Sequence, residues 1–258
     1  MSSDDSYGRT HAADYDAVFG ARDDVARVAD VLHAIGGDGD ALEFGIGTGR
    51  LAIPLAERGR RVFGIDISPA MLDRLRAKLA DRPDLAVIPV LGTFSQLRVP
   101  GRFTLVFCAF STLFLPTTQE EQLAAIVNAA AHLEPGGRLL VEMFVHDRTR
   151  FARSQETVVD ALGDDRAVLK LAKLEPNHQL IHTRKVTLTP AGHEFVPNTL
   201  RFVYPSELDL MARIAGLRPI RRWSDWRRSP FGADSAELIA VYEKPSAGAV
   251  QPERAADS

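Results

Sequence analysis

Residues 41–66 constrain this chain more than any other stretch. An apolar run over 41–44 leads into Gly45-Ile46-Gly47-Thr48-Gly49. A helix-like run follows over 50–58, and a second apolar run, 61–65, ends on Asp66. Strand, glycine turn, helix, strand is the unit that sets two parallel strands side by side with the turn at their carboxyl edge. Gly45, Gly47 and Gly49 permit positive φ and let a ligand reach the main chain with no Cβ in the way. The helix that follows offers its free N–H groups to the same turn. Asp66, ending the next strand, is placed to accept both hydroxyls of a ribose. The stretch predicts a nucleoside-binding site at the carboxyl edge of a parallel sheet.

The residues around the glycines discriminate between nucleosides. A dinucleotide turn reads G-x-G-x-x-G/A, its third small residue letting helix and strand pack closely. Counted from Gly45, that place belongs to Arg50, and the glycines fall instead as G-x-G-x-G. Glu43 stands just ahead of them. An acid there repels a pyrophosphate and suits a cation. S-adenosyl-L-methionine (SAM) carries a sulfonium and an ammonium and no phosphate, so it is favoured over a nicotinamide dinucleotide, the competing occupant.

Three segments in order, Leu-Glu-Phe-Gly-Ile-Gly-Thr-Gly from residue 42, Gly-Ile-Asp-Ile-Ser-Pro-Ala-Met-Leu from 64 and Leu-Glu-Pro-Gly-Gly-Arg-Leu-Leu-Val-Glu from 133, resemble the class I SAM-dependent methyltransferases. The likeness is close over residues 40–145 and loose elsewhere, and it belongs to the small-molecule branch. It implies an α/β fold: a Rossmann-like seven-stranded sheet with a reversed last strand, plus a small antiparallel β insert over the active site. The implied organisation is an N-terminal lid segment at 1–22 and a SAM-binding core at 23–150 and 205–244. An acceptor-binding insert would occupy 151–204 and a disordered tail 245–258. The implied cofactor set is Glu43, Gly45, Gly47, Gly49 and Asp66, with Ile67 beside the adenine and Met71 beside the cofactor. The family's usual adenine-binding Asp is replaced by Thr93, so either the Thr93 hydroxyl or the backbone of Phe94 would take that bond, and the Phe94 ring would stack on the adenine. The Ala109 carbonyl and Phe110 would meet the methionine end.

Composition sets outer bounds. The 258 residues suffice for one large α/β domain, and 45% hydrophobic with 25% charged is ordinary for a soluble globular protein. A net charge of −3 gives the whole chain no electrostatic claim on nucleic acid. The single cysteine, Cys108, forms no internal disulfide and reads as core packing in a reducing, cytoplasmic setting. No run reaches the length of a membrane span, and the first residues lack the apolar core of a signal peptide.

Methyl transfer is an in-line displacement that demands alignment more than a fixed set of reacting side chains. Three candidates stand out for the acceptor side. His146 lies just past the fifth core strand and titrates near neutrality. Tyr15 shares a helical face with Phe19, either lining the site or docking the N-terminal helix, while Tyr7 and His11 are weaker. Tyr204 lies at the exit of the insert, and Glu142 within the fifth strand is a lesser candidate. Asp73, Arg76 and Lys78 read as a solvated face. No metal site is expected: acidic runs suited to Mg²⁺ are missing, and His178, His182 and His193 lack zinc spacing. Arg218, Arg221, Arg222, Arg227 and Arg228, interleaved with Trp223 and Trp226, read as the outer face of a strand pair with the tryptophans covering the core edge. The sequence thus predicts a SAM-dependent methyltransferase acting on N, O or C of a small organic acceptor, in secondary metabolism. The alternative is a SAM- or nucleoside-binding module, or an RNA methyltransferase using the Arg218–Arg228 cluster.

Overall fold

A computed structural model describes Gly8, Ala12, Tyr15, Asp16 and residues 24–147 and 154–246. The expectations for Tyr7, His11, Phe19 and the tail beyond residue 246 lie outside the described residues. Helix α1 (Val25–Gly36) buries Val28, Val31, Leu32 and Ile35, the single stripe its periodicity predicts, and ends where Gly37 takes φ 62°. Then follow β1 (Ala41–Phe44), α2 (Ala52–Ala56), β2 (Val62–Asp66), α3 (Pro69–Ala80), β3 (Val87–Leu91), β4 (Phe103–Cys108), α4 (Gln119–His132) and β5 (Leu133–Phe144). Strands β6 (Gln155–Leu162), β7 (Ala167–Glu175), β8 (Leu180–Thr189) and β9 (Gly192–Arg201) come next, then α5 (Pro205–Ile214), β10 (Arg218–Trp223) and β11 (Glu237–Glu243).

The main sheet has seven strands in the order β10-β11-β5-β4-β1-β2-β3. Strands β1 to β5 run parallel, and β11 lies antiparallel between β5 and β10. Successive β strands step one way from β1 to β2 and β3 and the other way to β4 and β5, so the switch point falls at β1/β4. A crevice opens there at the carboxyl edge. Strand β4 is buried on both faces, as its apolar run predicts: Val106 and Cys108 pack toward α4 and α5, Leu105 and Phe107 toward α1, α2 and α3. Strands β6 to β9 form a separate four-stranded antiparallel meander, each paired only with its neighbour in sequence.

Two boundaries differ from expectation. Helix α2 is a bare turn and a half, because Pro54 inside it has no N–H to donate and Gly59 closes it with φ 83°. Strand β5 begins at Leu133, which pairs with Phe103; residues 135–137, expected to form a turn ahead of the strand, belong to it across a register shift.

A buried polar knot fastens the meander to the core. Arg201, at the end of β9, is 6% exposed. Its guanidinium donates to the side-chain oxygens of Gln122 on α4, Gln179 before β8 and Glu207 on α5. Gln122 in turn donates to the carbonyls of Leu113 (2.9 Å) and Arg201 (2.8 Å). A buried charge is tolerated only when its donors are met in this way.

Candidate functional site

The glycine turn and Asp66 form one hydrogen-bonded unit. The Gly47 N–H donates to Asp66 Oδ2 at 2.8 Å, and the Ser68 N–H donates to Oδ1 at 2.9 Å. Both oxygens are thereby oriented by the backbone of the turn and of the helix that follows β2. Gly47 has φ +55°, and a Cβ added there would stand in open space. At Gly45 an added Cβ would come within 2.4 Å of the Thr112 side chain, so the turn is pressed against the loop that follows β4.

Beneath the turn Glu43 is 4% exposed, and its Oε2 has no hydrogen-bond partner. Burial holds its carboxyl well above the usual range; Arg50 opposes the shift and Asp66 adds to it. A desolvated acid with an unmatched oxygen, two residues ahead of a turn that carries three glycines, fits a ligand that is cationic at one end and carries a ribose at the other. The residues present therefore fit SAM.

The N-terminal segment is stapled to this turn. Asp16 accepts from Thr48 Oγ1 at 2.6 Å and from Lys78 Nζ at 2.8 Å, and Lys78 also donates to the Thr48 carbonyl at 2.8 Å. Burial works against the Asp16 charge, but the Lys78 and Thr48 bonds prevail and hold its carboxyl below the usual range. Lys78 is therefore not part of a solvated face; only Asp73 and Arg76 pair there in the open. Tyr15, carried by the same staple, is largely buried, and burial pushes its phenol up against the pull of Arg50.

The loop after β4 supplies the opposite wall. Phe110 and Ser111 are successive left-handed residues, with φ 56° and 58°. Glu142 on β5 accepts the Phe110 N–H on Oε2 and the Trp226 indole N–H on Oε1, each at 2.6 Å. The Arg50 guanidinium lies 5.1 Å from the Phe110 ring centroid. Between this loop and the meander is a cavity of about 350 Å³. Tyr15, Phe110, Glu142 and Phe144 line it from the core, with Asn198 and Leu200 from β9 on the meander side and Glu237 at its edge.

The other predicted positions are distributed as follows. Ile67 is half-buried, and Met71 is buried under Gly8. Thr93 starts a turn, its carbonyl accepting from Gln96 and Leu97. Phe94 stacks on Phe44 with centroids 5.4 Å apart, so one face of its ring is taken. The Ala109 carbonyl accepts from the Thr112 N–H at 3.1 Å. Cys108 is core, as read, with burial raising its thiol far above the ordinary value. His146 is 8% exposed and stacks on Phe202 at 4.1 Å, with Tyr204 edge-on at 6.5 Å. Neither His146 nor Tyr204 is among the described residues lining the cavity. In the arginine cluster, Arg218 pairs with Glu243, Arg222 with Asp209, and Arg228 lies over Trp223. Trp226 is buried, covering the core edge as predicted, but its bond to Glu142 was not foreseen. Sequence reasoning also missed Asp16 and Lys78, whose only signal was opposite charge 62 positions apart.

Comparison with known proteins agrees with this geometry. A family model described as a methyltransferase domain matches residues 41–137. The cypemycin N-terminal methyltransferase of Streptomyces sp is 33% identical over 210 residues, covering 79% of this chain and 82% of the relative. The solved structure of the CcbJ methyltransferase from Streptomyces caelestis is 36% identical with a TM-score of 0.81, covering 87% of this chain and 91% of that one. The fold is shared with SAM-bound CalS10, an amino pentose methyltransferase from Micromonospora echinaspora, at 24% identity and a TM-score of 0.67 over 89% and 96% of the two chains.

Proposed function

The chain belongs to the class I SAM-dependent methyltransferases, and from that premise we propose that it methylates an amine nitrogen on a small or peptidic acceptor of secondary metabolism. The observation that carries this is the lining of the cavity. Its described residues include two carboxylates, Glu142 and Glu237, and three aromatic rings, Tyr15, Phe110 and Phe144, with no lysine or arginine. Such walls attract an ammonium and favour the positive charge that spreads over the reacting atoms. The relative named as an N-terminal methyltransferase supports the same acceptor atom.

When bound, SAM supplies a methyl group on a positively charged sulfur, open to in-line attack. In this reading the chain's own residues do the rest. Gly47 and Asp66 hold the nucleoside, and Glu43 faces the cationic end. Phe110 and Tyr15 flank the line of approach. Tyr15 keeps its proton near neutral pH, because burial raises its phenol, and so orients the acceptor as a hydrogen-bond partner and not as a base. His146, stacked on Phe202, is less well placed to take a proton. An amine drawn in as its ammonium gives that proton to water before it attacks; the neutral nitrogen then needs no enzymic base, and alignment supplies most of the acceleration.

The test is a panel of a tripeptide amide with a free N-terminus, an amino sugar and a secondary amine, each beside its alcohol counterpart, followed by S-adenosylhomocysteine release. Turnover of an amine and not its alcohol is expected. Turnover of alcohols alone, or of no amine, refutes the acceptor assignment.

A further inference from the structure

Trp226 stands outside the described lining of the cavity, yet only one side chain separates it from the cavity wall. We propose that Trp226 is a positioning residue for the acceptor cavity, acting through Glu142 on the Phe110–Ser111 turn; this rests on the assignment of that cavity to the acceptor. The turn takes a form that L side chains seldom adopt, at two residues in succession. Three bonds tie it to β5. The Phe110 N–H donates to Glu142 Oε2 at 2.6 Å, the Ser111 N–H to the Glu142 carbonyl at 3.0 Å, and the Phe144 N–H to Ser111 Oγ at 3.1 Å.

The first of these depends on where the Glu142 carboxylate points. Glu142 is 7% exposed, so little water reaches it to fix its rotamer. The fixing comes from the Trp226 indole N–H, 2.6 Å from Oε1. Indole is a donor only, so it cannot compete with the carboxylate for the Phe110 N–H. Trp226 is itself 5% exposed, in the segment between β10 and β11, and so reaches the site from the far edge of the sheet. With Glu142 held at both oxygens, the turn keeps the Phe110 ring under Arg50 and against the cavity.

Trp226→Phe removes the N–H and keeps an aromatic ring; Glu142→Gln keeps one acceptor oxygen and is the second variant. Amide hydrogen exchange, methyl transfer to the tripeptide amide and binding of S-adenosylhomocysteine are measured on each full-length protein. The expected result for Trp226→Phe is exchange at least tenfold faster at residues 110–112 with β1 and β2 unchanged. KM for the tripeptide amide should rise at least fivefold with a smaller change in kcat, and the S-adenosylhomocysteine Kd should move less than threefold. Glu142→Gln should show the same local loss of protection. Exchange at 110–112 that is unaltered, or that rises evenly over the whole sheet, overturns the proposal. The exchange measurement needs no acceptor, so it tests the link from Trp226 through Glu142 to the turn separately from the acceptor assignment.

Discussion

Asp66→Asn isolates the charge of the proposed ribose ligand, because it preserves the side chain's shape and replaces one oxygen with an NH₂. In the free protein both Asp66 oxygens accept backbone N–H groups, from Gly47 at 2.8 Å and Ser68 at 2.9 Å. The amide nitrogen must face one of them, so one bond is lost, at a cost of about 1 kcal/mol in stability. The effect on SAM is larger. A hydrogen bond to an ionised acceptor contributes roughly 1 kcal/mol more than one to a neutral acceptor, and two ribose hydroxyls are involved, so affinity should fall by about 2 kcal/mol. That is roughly a thirtyfold rise in Kd. Titration calorimetry with S-adenosylhomocysteine, beside thermal melts followed by circular dichroism, separates the two effects. A Kd within threefold of the native protein's, in a variant that melts as a folded protein, would refute the placement of the ribose.

Three further outcomes follow from the same site. Gly47→Ala should weaken SAM binding more than it lowers stability, since the new methyl points into open space at φ +55°; the backbone cost is of order 1–2 kcal/mol, and equal losses in the two measurements would count against ligand approach there. Because burial raises the Glu43 carboxyl, the folded protein favours its protonated form, and stability contributed by that form is lost as pH climbs from the ordinary carboxyl range through the raised value. A bound cation favours the ionised form, so SAM should expel a proton at a pH above the ordinary carboxyl range and below the raised value; calorimetric heats that are identical in buffers of different ionisation enthalpy would contradict this. Lys78→Met removes two bonds at 2.8 Å to the Asp16–Thr48 staple, of which the partly exposed ion pair contributes about 1 kcal/mol or less. Amide exchange at Tyr15 and Asp16 should quicken roughly fivefold, with the melting curve little changed.

Local pattern made much of this architecture readable. Alternating strand and helix periodicities give β1 to β5 and their helices, and the Gly45–Gly49 run with Asp66 marks the crevice because close backbone approach needs glycine wherever it occurs. The antiparallel insert over 151–204 came from the family resemblance, and β6 to β9 fall within it. What was not readable depends on pairs distant in the chain. Glu142 and Trp226 are 84 positions apart, and Arg201 and Gln122 are 79 apart. Nothing local distinguishes an arginine bound for a buried knot from one at the surface. His146 shows the same limit. Its position past β5 suggested the pocket, but the side chain direction was settled by Phe202, a partner that only the return of β9 brings near.

The chain has two tryptophans, at 223 and 226, and Trp226 lies one hydrogen bond from the cavity lining. Trp223 is half-buried with Arg228 over its ring, while Trp226 is buried against the Glu142 carboxylate. The protein thus carries its own fluorophore where acceptors should arrive. Replacing Trp223 with phenylalanine would leave a single emitter, whose wavelength and lifetime follow the environment of one carboxylate. Acceptors could then be ranked by light, with neither a label nor a coupled enzyme.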